Sequence, residues 1–136
     1  MNGYQFLDQE IELLRLNVSE QAISNRLARL FEQQFSEWHV DCEYNRNAYE
    51  IKCLKYALVP NGNIEERAVV PDIIVHLRRS EENLIAIEIK KDVNKENRFK
   101  DNAKLTAFRE QLGYKHTIFI DFGTGDNAGI KEFTLV

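Results

Sequence analysis

Hydrophobic positions divide the chain into helical and extended stretches. Phe6, Leu7, Ile11 and Leu14 share one side of a helix over residues 4–16. Asn17 interrupts it, and Asn17-Val18-Ser19-Glu20 has the form of a capping box opening a second helix over residues 18–35. Ile23, Leu27, Leu30 and Phe31 give that helix its apolar side. From His39 to Arg46, Val40, Cys42 and Tyr44 alternate with Asp41, Glu43 and Asn45, the period of a half-buried strand. Residues 49–59 suit helix and strand equally, and Pro60-Asn61-Gly62-Asn63 marks a turn. Two apolar runs, residues 67–77 and 84–90, predict buried strands, and the short polar link between them predicts antiparallel pairing. Residues 98–112 carry Leu105, Phe108 and Leu112 at helical spacing, with Gly113 placed to end the helix. Residues 115–122 and 130–136 read as the last strands. This order predicts one α/β domain over residues 1–136, with a mixed central β-sheet flanked by helices.

Three charges interrupt the two central runs. Asp72 lies within the first, and Glu88 and Lys90 lie within the second. Successive side chains of a strand alternate between faces, so Ala86, Glu88 and Lys90 share one face and Ile85, Ile87 and Ile89 the other. Asp72 shares its face with Ile74 and His76, and pairing of the two strands would bring it beside Glu88. Two buried carboxylates repel and cost several kcal/mol unless a positive charge lies between them. A divalent cation meets that need, since Mg²⁺ takes one or two carboxylates and keeps several waters. Lys90, one pleat further along, would hold positive charge near a developing anion. The competing reading is plainer: charges at strand ends are commonly solvated, and an exposed Glu–Lys pair is worth under about 1 kcal/mol.

Composition narrows the class. A net charge of −4 argues against a protein that coats nucleic acid indiscriminately. Lys90, Lys91, Lys95, Arg98, Lys100 and Lys104 nevertheless form a local basic stretch that suits a phosphate backbone or a solvated helix surface. No apolar run is long enough to span a membrane, and the first residues lack the basic start of a secretory signal. Cys42 and Cys53 suggest neither a disulfide frame nor a zinc site, and two unpaired thiols suit a reducing cytoplasm. His76 reads as a polar strand end and Asp121 as a turn former before Gly123-Thr124-Gly125, which lacks the spacing of a phosphate loop.

Pro71-Asp72, fifteen residues, then Glu88-Ile89-Lys90 resembles the PD-(D/E)xK nuclease superfamily, with its restriction-endonuclease-like fold. The likeness runs from Ser19 to Phe122: a helix before the core, the two motif strands, then a helix and a strand. The resemblance implies that Asp72 and Glu88 bind the metal, Mg²⁺ or Mn²⁺, with the Ile89 carbonyl completing its shell. It implies that Lys90 assists the attacking water. Glu20 is the candidate acid from the preceding helix, although a capping role explains it equally well. Lys104 is the candidate basic residue from the following helix. The implied activity is a metal-dependent nuclease that hydrolyses phosphodiester bonds, with DNA as the expected partner and a homodimer or protein partner compatible with the small size. The rival is a catalytically inactive module of the same fold that binds nucleic acid or protein within a larger defence or mobile-element system.

Overall fold

A computed structural model describes residues 10–12, 14–16, 18–42, 52–69, 71–80, 82–91 and 98–136. The elements are α1 (Glu20–Gln34), β1 (His39–Cys42), β2 (Lys52–Tyr56), β3 (Glu65–Val69), β4 (Ile73–His76), β5 (Asn83–Lys91), α2 (Arg98–Leu112), β6 (His116–Gly123) and β7 (Gly129–Leu135). Residues 10–12 and 14–15, ahead of α1, are also helical, and the rest of the helix expected over 4–16 lies largely outside the described residues. So do Tyr44, Asn45 and Arg46, the expected end of the first strand.

Five strands form a mixed sheet in the order β1-β4-β5-β6-β7. β4 runs antiparallel to β1 and β5, β6 parallel to β5, and β7 antiparallel to β6. A parallel pair needs a crossover, and α2 supplies it between β5 and β6. The run over residues 67–77 is not one strand. Pro71 lacks an N–H for the ladder, and the chain breaks there into β3, which pairs with β2 as a separate hairpin, and β4, which joins the main sheet. The ambiguous stretch 49–59 resolves into β2 where it is described.

Each face of the sheet has its own core. Ile73, Val75, Ile85, Ile87, Ile89, Ile118, Ile120 and Phe122 meet Ile23, Leu27, Leu30 and Phe31 of α1. On the opposite face Ile74, Ala86 and Phe119 meet Leu105 and Phe108 of α2, together with Leu54, Tyr56 and Val69 of the hairpin. Burying each such Ile, Leu or Phe contributes about 1.5–3 kcal/mol. The hairpin is tied to α2 by Gln111, whose side-chain amide accepts from the Lys55 N–H at 2.9 Å and donates to the Lys55 carbonyl at 2.7 Å. The N-cap of α1 is Ser19, whose hydroxyl accepts from the Ala22 N–H, so Glu20 is the first helical residue instead of the third member of a capping box begun at Asn17. Among the described residues no helix is long and apolar enough to cross a membrane.

Candidate functional site

The break at Pro71 sets Asp72 in a bend just before β4. In the β4–β5 register Ile73 faces Ile87, so one step back along β4 brings Asp72 beside Glu88. Asp72 Oδ2 accepts a 2.6 Å hydrogen bond from the Ile89 N–H, which extends the strand pairing through a side chain. Glu88 and Lys90 lie on the α2 face, 4% and 8% exposed. The acids therefore converge on one side of the sheet, and Lys90 stands on that side as well.

Helix α2 completes the site with residues one turn apart. Lys104 Nζ lies 2.6 Å from Glu88 Oε1, and Lys90 Nζ lies 3.7 Å from Asp101 Oδ2. Both are ion pairs at buried oxygens, and Glu88 acts on Lys104 first through its charge and then as a hydrogen-bond acceptor. Lys90 also faces Asp121 across the β5–β6 pair, and Arg98 donates to Asp121 Oδ2 at 3.0 Å while lying over the Phe119 ring. Asp121 is thus a strand residue of this charged face, and not a turn former.

Burial and the neighbouring Glu88 charge push the Asp72 carboxyl well above the usual carboxylate range, although the Ile89 N–H and Lys104 pull it back. Burial also raises Asp101, against the pull of Lys90 and Lys104. Burial disfavours the charged Lys104 ammonium, but Glu88 and Asp72 outweigh it and the pKa rises. Burial raises the Tyr56 hydroxyl, which feels Lys104, Arg67, Glu88 and Asp101.

Glu20 belongs to a different element. It begins α1, which packs on the other face of the sheet, and Lys91 Nζ donating to the Val18 carbonyl joins that helix start to the end of β5. Among the described residues no three His, Cys, Asp or Glu side chains gather closely enough to hold a metal. What fits a divalent cation is narrower: two adjoining carboxyls, one of them with a buried oxygen that meets Lys104, and the Ile89 carbonyl on the strand between Glu88 and Lys90.

A second charged group lies between β1 and β4. Asp41, 1% exposed, bonds His76 Nε2 at 2.7 Å and receives both Nε and Nη2 of Arg78. Burial raises its pKa, but the hydrogen bonds from His76 and Arg78 more than offset this and hold it at about 2. His76 serves this structural pair.

The sequence reading missed Asp101, Arg98 and Asp121 as members of the site. Asp101 left one signal, since it occupies the same helical stripe as Leu105, Phe108 and Leu112, where an apolar residue is expected. Compared with protein-family models, curated proteins and solved structures, the chain matches none, and its chemistry is read from its own side chains.

Proposed function

We propose that this protein is a metal-dependent nuclease of the restriction-endonuclease-like fold, hydrolysing phosphodiester bonds in DNA. The observation that carries the reading is the placement of Asp72, Glu88 and Lys90 on one face at neighbouring strand ends. The succession of α1, β1, the β4–β5 pair, α2 and β6 agrees with what the PD-(D/E)xK resemblance implies. Asp72 and Glu88 would hold a Mg²⁺ or Mn²⁺ ion with the Ile89 carbonyl. When bound, such an ion lowers the pKa of a water and stabilises charge on phosphate oxygens. The chain's own contribution is positional. Asp72 is oriented by the Ile89 N–H, Glu88 by Lys104, and Lys90 by Asp101, which holds the ammonium on the same face as Glu88 as a preorganised positive charge for a developing oxyanion. Glu20, in the first turn of α1, is the candidate further acid.

A second reading, an inactive nucleic-acid- or protein-binding module, draws on the same contacts: Lys104 and Asp101 already balance Glu88 and Lys90 without any ion. A cleavage assay separates the two. Wild type and Glu88→Ala are incubated with labelled single- and double-stranded DNA, RNA and a branched junction, in Mg²⁺, Mn²⁺ or chelator. The nuclease reading expects metal-dependent cuts in DNA that leave 5′-phosphate ends, with the variant about 100-fold slower or worse. Equal cleavage by the variant, or binding without any cleavage, rejects it.

A further inference from the structure

The cation nearest the Asp72–Glu88 pair is a side chain. We infer that Lys104 is a built-in counter-ion for this pair, and that a divalent metal enters the site by displacing the Lys104 ammonium from Glu88. The inference rests on the nuclease reading and concerns how the same site is loaded.

Three observations lead to it. First, Lys104 reaches Glu88 Oε1 at 2.6 Å with its side chain only 14% exposed, so the ammonium lies inside the cluster and covers one of the oxygens a metal would need. Second, Glu88 acts on Lys104 first through its charge. A divalent ion replaces that charge with more charge. Third, a place for the displaced ammonium is already present. Asp101 sits one turn back on the same helix face, its buried Oδ2 meets Lys90 only at 3.7 Å and accepts no hydrogen bond among the described residues, and it already interacts with Lys104 through charge. Lysine suits such an exchange, being a compact charge on a flexible stem, whereas a bidentate Arg would hold the carboxylate in place.

This arrangement has a consequence for loading. Without metal the two carboxyls are not left bare, so the fold does not depend on the ion. Metal affinity is correspondingly reduced, because each binding event must first break the Lys104–Glu88 pair.

The test is Mn²⁺ calorimetry on the full chain. Lys104→Met keeps the apolar stem and removes the charge, Lys104→Gln guards against misfolding of the first variant, and Lys100→Met removes an exposed charge of the same helix as a control for general electrostatics. The expected result is Mn²⁺ binding at least about tenfold tighter in both Lys104 variants than in wild type, with the Lys100 variant within about twofold of wild type. The Lys104 variants should also melt at lower temperature without metal and recover on adding Mn²⁺. Lys104 variants that bind no tighter than the Lys100 variant overturn the inference, while leaving the nuclease reading intact if Glu88→Gln still abolishes the heat. Absence of Mn²⁺ binding from every variant, or binding indifferent to Glu88→Gln, overturns both.

Discussion

Asp72 shows how a single charge is made costly and then used. Its carboxyl is taken out of water and set against Glu88, and among the described residues the Ile89 N–H and the Lys104 ammonium offset this. A carboxyl raised in the folded state above its unfolded value stabilises the fold at low pH. That contribution is lost as pH rises from the unfolded value toward the folded one. Asp72→Asn keeps an acceptor for the Ile89 N–H and removes the charge. The variant is therefore expected to be more stable than wild type at pH 8, by roughly 0.5–2 kcal/mol, with the gain fading toward pH 4. Urea unfolding at the two pH values measures it, and a variant less stable at pH 8 would refute the assignment. The side of the sheet on which Asp72, Glu88 and Lys90 lie was legible in the sequence, because strand alternation is a local property. Their partners Asp101 and Lys104 were not, since these depend on how α2 lies across β5.

At the scale of elements, the sheet is covered on both faces, and this explains where alternation misleads. Asp41 alternates with Val40 and Cys42 as a solvent-facing residue would, yet the α2 face carries a core of its own and Asp41 is buried there, paired with His76 and Arg78. Alternation predicts water on the polar side only when one face of the sheet is bare. The pair fastens β1 to β4 at the sheet edge. Asp41→Ala should cost about 3 kcal/mol at pH 7, the lower end of the range for a broken buried pair because Arg78 is partly in water. A carboxyl held low stabilises the fold above its unfolded pKa, and the benefit disappears as pH falls through about 2. The stability gap between the variant and wild type should accordingly narrow below pH 4, and a gap that widened there would contradict the pairing. The bounds of α2 follow from Leu105, Phe108 and Gly113, and residues 98–112 are helical as the spacing predicts. The break between β3 and β4 lay in Pro71, a residue that ends a ladder whatever the hydrophobicity around it.

For the whole molecule, two cores sandwich one mixed sheet, and the charged cluster is built where the second core gives way to polar residues at the ends of β5 and β6. Sequence order alone was enough to predict the α/β class and the mixed sheet, because each element carries its own periodicity. The hairpin of β2 and β3, inserted between β1 and β4 and packed against α2, was not readable, since only its tertiary contacts separate it from the main sheet. Everything proposed for the molecule depends on Asp72 and Glu88 gripping one cation together. Crystals soaked in Mn²⁺, with anomalous scattering recorded for wild type and for Asp72→Asn, measure this directly. The account predicts an anomalous peak bonded to an oxygen of each carboxylate in wild type, with Lys104 turned away from Glu88, and a weakened or absent peak in the variant. A peak elsewhere, or none at saturating Mn²⁺ with the Lys104–Glu88 pair unchanged, would contradict it.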